Sequence, residues 1–360
     1  MKSVSSQAAG AITEGVAPVY ELDPLQDSRW QEFLERDTRA SIFHDPGWLE
    51  ALRRTYGYVP FVLTTSPPGE PLANGVVFCR VNSRLTGRRI VSLPFSDHCE
   101  PLAGACELQT ISVFLEERMR AAKLGYVEFR PVTSAPELSA ARQSAEFTFH
   151  TINLRRSKEE LFEALHRTSI RQMVQRAARE GLICKRGIEI SLLQDFYRLF
   201  TMTRRRHGLP PTPYRWFRNV VECLGNNAQV YVAYKNQSPA AGLFILKHGK
   251  KLVYKYGGSN QSMSNLGGTP FLFWKLIEDA KAEGFEELDL GRSDLDNEGL
   301  ITFKNRLGGH SSPLHYWRLA PKPRHKSAPG WMNRFAKQAM AHSPDAVRIQ
   351  LGNLLYRHLG

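Results

Sequence analysis

Apolar and polar residues alternate along this chain with two periods, and the switches between them mark its elements. Asp27 or Ser28 can cap a helix running through Arg36, and Asp45-Pro46 opens another that sets Trp48, Leu49, Leu52 and Tyr56 on one face. Strand-like runs follow at Tyr58–Thr64, Gly75–Val81 and Arg88–Pro94, the last ending in the loop Phe95-Ser96-Asp97-His98-Cys99-Glu100-Pro101. A helix from about Leu108 to Leu124 leads through Gly125 into a strand at Tyr126–Arg130. The order then starts again. A strand at Phe147–Leu154 precedes a long helix, Lys158–Arg179, closed by Gly181, and a second helix, Leu192–His207, is broken by Gly208-Leu209-Pro210-Pro211. Strands are predicted at Ala228–Tyr234, Ala241–Lys247 and Lys251–Tyr256, then a helix at Pro270–Glu283. From Glu287 to Leu290 acidic and apolar residues alternate at the two-residue period, and Gly291 stops the strand. Arg292, Asp294, Asp296 and Glu298 crowd the turn beyond, a second short strand should bring up Phe303-Lys304, and His315–Leu319 should be the last strand. Open α/β sheets place ligands where a strand ends in a polar loop, so function is expected around 284–308.

The halves can be laid over each other. Ala73-Asn74-Gly75-Val76-Val77-Phe78 matches Ala240-Ala241-Gly242-Leu243-Phe244-Ile245 at an offset of 167, and the Gly125 and Gly284 strand entries match at an offset of 159. Offsets this close, joining elements in the same order, predict a duplicated α/β domain. The boundaries expected are a polar arm over 1–18, a first domain over 19–146, a second over 147–320 and a tail over 321–360.

Composition changes this picture in one respect. Apolar and charged fractions are ordinary, but the net charge of +13 asks for an anionic partner: a nucleotide, CoA, tRNA or an anionic membrane face. Residues 321–360 carry seven Lys/Arg against Asp345 alone. Their prolines, Pro321, Pro323 and Pro329, predict a stiff linker, followed by two short amphipathic helices divided at Pro344. Trp331, Met332, Phe335 and Met340 would line the first, and Leu351, Leu354 and Leu355 the second. The tail either lies on an anionic membrane or caps the second domain. Met1–Val19 lacks the apolar core of a signal peptide, and no run of eighteen apolar residues predicts a membrane span. Cys79, Cys99, Cys106, Cys184 and Cys223 show no metal spacing and read as reduced, small buried residues of a cytoplasmic enzyme. No DNA-reading motif is present, and no metal is expected.

The order helix–helix–strand–strand–strand–helix–strand resembles the GNAT acyltransferase fold, and two copies in tandem resemble the Fem-type (FemAB-like) aminoacyltransferases, over about residues 20–320. The residues carrying the resemblance are Asp289-Leu290-Gly291-Arg292-Ser293, Gly299-x-x-x-Phe303-Lys304, and Ser169-Ile170-Arg171-Gln172-Met173 with Ala177 and Gly181. Ser92-Leu93-Pro94-Phe95-Ser96-Asp97 is similar to relatives attached to exopolysaccharide export. The fold class implied is α/β (α+β), two tandem GNAT-like domains with a basic helical tail. The activity implied is acyl transfer onto an amine of a cell-envelope or exopolysaccharide precursor, on or near the inner membrane face, with the Phe-Lys pair near the reacting carbonyl.

Amine attack on an ester or thioester builds an oxyanion, which a lysine can stabilise, and the amine must shed a proton. Lys304 is the expected oxyanion partner, and Asp97, His98 or Asp294 the proton collector. Arg292 and Ser293, with Phe303, Arg167 and Arg171, are expected to bind the substrate; Arg167 and Arg171 sit four apart on one helix face. The resemblance also implies a cofactor-phosphate turn at Gly267-Gly268-Thr269, with Thr269 as N-cap and Pro270 as the first helical residue. Acyl-CoA is preferred as donor over aminoacyl-tRNA because no long helical-hairpin insertion is visible. A non-catalytic GNAT-like protein recruiting a polysaccharide assembly complex is the alternative from another class.

Overall fold

The computed structural model describes residues 17–133, 138, 140–320 and 344–359. The first half supplies β1 (Tyr20–Leu22), β2 (Val59–Thr64), β3 (Val76–Ser83), β4 (Gly87–Val91) and β5 (Val127–Phe129). The second supplies β6 (Arg142–Asn153), β7 (Ile183–Gly187), β8 (Ala228–Lys235), β9 (Ser238–His248), β10 (Lys251–Ser259), β11 (Glu287–Asp294) and β12 (His310–Leu319). All join one 12-stranded sheet in the order β1-β2-β3-β4-β5-β12-β6-β11-β10-β9-β8-β7. The last strand therefore closes the seam, pairing with β5 through Leu319↔Val127 and with β6 through Ser312↔Phe149.

The repeat predicted from the offsets is visible in the topology. In each half three antiparallel strands, β2-β3-β4 or β8-β9-β10, lead through a helix to a strand parallel to the third. The parallel pairs are Ile90↔Val127 in β4–β5 and Leu252↔Leu288 in β10–β11. The crossover helices are α3 (Ala105–Ala121) and α8 (Gly268–Ala282). They cover one sheet face in two separate cores, α3 over Phe61, Phe78 and Ile90, α8 over Ile245, Leu252 and Leu288. On the opposite face the halves share a single core. There α1 (Ser28–Arg36) and α2 (Pro46–Tyr56), capped by Asp27 and Asp45 as predicted, meet α6 (Ile190–Arg206) and α7 (Tyr214–Leu224). Trp48 packs edge-on against Trp216 with ring centroids 5.0 Å apart.

Several elements differ from the sequence reading, each for a local reason. The helix expected over Lys158–Arg179 is broken. α4 (Lys158–Ala164) has a capping box of Ser157 and Glu160, a π-helical turn occupies Arg167–Arg171, and α5 (Gln172–Arg179) follows. Leu165 is extended, and the His166 side chain accepts from the Ser169 N–H, so a side chain there replaces the helical ladder. α7 was overlooked although Trp216, Phe217, Val220 and Leu224 keep helical spacing, because proline-rich 208–213 masked its start. β7 is an edge strand whose side chains are mostly exposed, so it carries no apolar period. Phe303 and Lys304 sit on a helix, α9 (Glu298–Arg306), not a strand; Asn297 caps it by accepting from the Leu300 N–H. Gly291 does not end β11 but forms a bulge within it. Only Cys79 and Cys99 are buried; Cys106 is exposed and Cys184 and Cys223 are half-buried.

The expected boundary between 146 and 147 falls inside β6, and β12 is bonded to both halves. The proline linker and the helix expected around Trp331, Met332, Phe335 and Met340 lie outside the described residues. The second tail helix is α10 (Asp345–Leu359), and it packs across both halves rather than on the second alone. Its Tyr356 hydroxyl donates to Pro210 O and accepts from Arg204 Nη2 at 2.8 Å, while the Tyr58 hydroxyl donates to Tyr356 O. Among the described residues no helix is long and apolar enough to cross a membrane.

Candidate active site

Two bulges open a fork in the second half. β10 and β11 pair only from Lys251↔Glu287 to Val253↔Asp289. Beyond that point β10 shifts register between Tyr254 and Tyr256, and β11 between Asp289 and Arg292. Gly291 takes φ +72°, and a Cβ there would stand 3.1 Å from Asp97 Oδ2. The bulge in β10 turns Lys255 toward the first half, over the Phe43 ring.

The loop after β4 fills the fork from the other half. Asp97 accepts from Lys255 Nζ at 2.9 Å and lies 3.9 Å from Arg292 Nε, and its carbonyl accepts from the Tyr316 hydroxyl at 2.6 Å. Burial on its own would raise the Asp97 carboxyl, but the Lys255 and Arg292 charges outweigh it and hold Asp97 below the usual carboxylate range. The Arg292 guanidinium stacks over Phe147 at 4.0 Å. His98, next in the loop, meets Asp289 with Nε2 2.7 Å from Oδ2, and the other carboxylate oxygen accepts from the Gly291 N–H at 2.6 Å. Asp289 thus pairs with His98.

Lys304 approaches the bulge from the opposite face of the sheet. It is 3% exposed, and its ammonium donates to Gly291 O at 2.9 Å and Arg292 O at 3.0 Å. Burial pulls its pKa down to about 8, with Asp97 and Asp289 opposing the shift. Three hydrogen-bonded steps, His98–Asp289–Gly291–Lys304, therefore run through the sheet at one residue.

The corresponding fork in the first half is closed. β4 and β5 pair over two positions, against three in β10–β11, and Arg130 fills the gap beyond, donating to Glu128 Oε1 at 2.9 Å and Leu93 O at 2.6 Å. Arg318 holds the second oxygen of Glu128 at 2.7 Å. A buried carboxylate held between two guanidiniums thus occupies the gap between these strands.

On the Lys304 side, α9 and the π-helical turn enclose a groove of about 370 Å³ lined by Ser169, Ile170, Glu298, Gly299, Thr302, Phe303 and Arg306. Ser169 and Ile170 of one sequence segment and Gly299, Thr302 and Phe303 of the other thus come together as its walls, while Lys304 itself does not line it. Arg171, on the turn, is half-buried and its Nε has no hydrogen-bond partner; Arg167 is exposed. Ser293 lies buried behind the bulge, its hydroxyl also without a partner. Asp294 is exposed at the far end of β11, outside the cluster. Gly267 is the N-cap of α8 at φ +76°, in place of Thr269. A Cβ on Gly267 would lie 2.4 Å from Met173 O and one on Gly268 3.1 Å from the Ala241 methyl, so close packing against α5 and β9 accounts for both glycines. Lys255 and Tyr316 were missed. A lysine between Tyr254 and Tyr256 in an apolar strand was the signal for the first; nothing in the sequence marks the second. Among the described residues no cluster has the ligands for a metal ion.

Residues 164–304 match the family model described as an acetyltransferase (GNAT) domain. The UDP-N-acetylmuramoylpentapeptide-lysine N(6)-alanyltransferase of Weissella viridescens is 23% identical over 145 residues, 39% of this chain and 43% of that protein. The chain thus spans less than half the length of this curated relative. Among solved structures, FemX superposes with a TM-score of 0.65 at 12% identity, covering 81% of this chain and 95% of FemX. A tandem GNAT protein from the clavulanic acid biosynthesis pathway gives 0.52 at 11% identity, over 85% of this chain and 99% of that one. The fork between β10 and β11 therefore lies within the residues that match the acetyltransferase (GNAT) model, in a chain whose fold is similar to those of FemX and a tandem GNAT protein.

Proposed function

We propose that this chain transfers an acyl or aminoacyl group from an activated ester or thioester to a primary amine of a cell-envelope precursor. The observation that carries the reading is Lys304. Two backbone carbonyls fix its ammonium at the fork, and a lysine has three donors, so one N–H remains for a developing oxyanion. The donor would occupy the α9 groove, its anionic part facing Arg171, Arg167 and Arg306. Asp97 is tied to Lys255 and positions the fork, with Arg292 beside it; this leaves His98 as the better placed proton collector.

An aminoacyl ester is the favoured donor. The curated relative is an alanyltransferase, and the glycines once expected to hold a CoA pyrophosphate are accounted for by packing. Acyl-CoA remains the second reading, favoured by the match to an acetyltransferase model. The test is to incubate the chain with UDP-N-acetylmuramoyl-pentapeptide and either alanyl-tRNA or acetyl-CoA, and to follow acylated product by mass spectrometry. Product with the first donor supports the reading; product with acetyl-CoA alone transfers it to the second. With Lys304→Ala, turnover should fall by about 10²–10³-fold, a common loss for one oxyanion donor. Unchanged turnover with an intact fold would remove Lys304 from the reaction.

A further inference from the structure

Three stretches of this basic chain contain no aspartate or glutamate, and the fold brings them together. Residues 71–96 hold four arginines, 196–221 six and 346–360 two, so twelve positive charges stand here with no acid between them. α10 is where they meet. Its His358 carbonyl accepts from Thr86 Oγ1 at 2.8 Å and from Arg89 Nη2 at 3.0 Å, at the turn between β3 and β4. Arg204, near the end of α6, donates to the Tyr356 hydroxyl at 2.8 Å. Gly352 lies so close to Pro211 that a Cβ would overlap the proline carbonyl oxygen.

The two faces of α10 differ in kind. Arg348, Gly352 and Tyr356, four residues apart, are buried against the two halves. Val347, Gln350, Leu354 and Arg357 recur every three or four residues on the other side, and all are exposed. Leu354 is 64% exposed, and Leu85, in the β3–β4 turn beside the helix end, is 68% exposed. Arg84 and Arg88 flank Leu85 and are exposed too, as is Arg206 on α6. Core and membrane were alternatives for this helix in the sequence; its buried face takes the first and leaves the outer face for the second.

We infer that the outer face of α10 and the β3–β4 turn form a docking surface for an anionic lipid bilayer. Leu85 and Leu354 enter the acyl boundary, and Arg84, Arg88 and Arg357 meet the headgroup phosphates. Charge complementarity selects an anionic partner, and the aliphatic residues standing among the arginines select lipid. RNA fits less well, because bases stack on rings and every aromatic residue in these stretches is buried or half-buried. The surface requires nothing of the chemistry proposed for the fork, so either can fail without the other.

The test is co-sedimentation of the full chain with vesicles of phosphatidylcholine alone and of phosphatidylcholine with about one-third phosphatidylglycerol. Binding should be confined to the anionic vesicles and should weaken as salt rises, because salt screens exposed charges. Arg84→Glu with Arg88→Glu should weaken it at least tenfold, since each basic residue near an anionic surface is worth about fivefold. Leu85→Ser with Leu354→Ser should weaken it about tenfold and leave Tm unchanged, both side chains being exposed. The control is Arg156→Glu with Arg179→Glu. It changes the charge equally, at exposed positions before α4 and on α5 across the sheet from α10, and should bind within about threefold of wild type. Binding that survives the Arg84 and Arg88 reversal, leucine replacements without effect, or an equal loss in the control overturns the assignment. So does retention on single-stranded RNA without sedimentation on anionic vesicles, which would make the partner a nucleic acid.

Discussion

A buried lysine with a depressed pKa is a group whose two tasks conflict. As an oxyanion partner Lys304 must be protonated, and burial holds its pKa at about 8. Turnover should therefore be lost as pH rises through about 8, falling roughly tenfold per further unit, and a kcat–pH profile reads this directly. Stability moves the other way. The unfolded chain keeps this lysine protonated up to its ordinary value near 10.5, so from about 8 to 10.5 the unfolded state binds more protons and the folded state gains with rising pH. Lys304→Met removes that gain. Its Tm relative to wild type should thus be highest at pH 7–8 and decline toward pH 10.5; a difference independent of pH would mean that the ammonium is not held in the environment described. At this scale the sequence was informative where a residue's type is unusual in its setting, as for Lys304, Asp97 and His98. It was silent on pairing. The partner of Asp289 is 191 residues away in sequence, and no periodicity records that.

Bulges and caps, not whole strands, set the site. Gly291 lets β11 turn its carbonyl to Lys304 and its N–H to Asp289, at a φ that a side chain resists. Gly291→Ala should cost about 1–3 kcal/mol through that φ, and its Cβ would press on Asp97. Urea unfolding measures the first effect, and a drop in turnover beyond it measures the loss of the Lys304 anchor. Gly299 gives the contrast. It is exposed in the first turn of α9, where a Cβ meets nothing within 4 Å, so Gly299→Ala should stabilise by about 0.5–1 kcal/mol. The starts of elements with a clean apolar period, such as α2, β10 and β11, were legible in the sequence, while β10 and β11 run on past their expected ends to Ser259 and Asp294. The break at His166 was not, because a side chain accepting a backbone N–H substitutes for a helical bond without altering the apolar spacing. The reading of Phe303-Lys304 as a strand failed for a related reason. In α9 the buried residue is the polar Lys304, so the pattern that marks a core face points the wrong way.

The two halves meet through a core shared by α2 and α7, a strand bonded to both, and buried polar pairs that include Lys255 with Asp97 and His98 with Asp289. The duplication itself was legible from its glycine offsets, but the seam was not, since β12 enters it from the end of the repeat. Lys255 and Asp97 belong to different halves and bond at 2.9 Å, with side chains 6% and 17% exposed. Removing one charge strands the other. Asp97→Asn should therefore cost about 3–5 kcal/mol, far more than a surface pair would, because Lys255 stays buried without its countercharge. Lys255→Met alone leaves Asp97 with Arg292 3.9 Å away and should cost less. The double variant Asp97→Asn with Lys255→Met should recover much of the single loss, giving a coupling energy of about 1–3 kcal/mol in urea unfolding. Additive losses would mean that the pair does not join the halves. Recovered stability without recovered turnover is the expected outcome, because the same loop carries His98, and its position against Asp289 depends on where Asp97 is held.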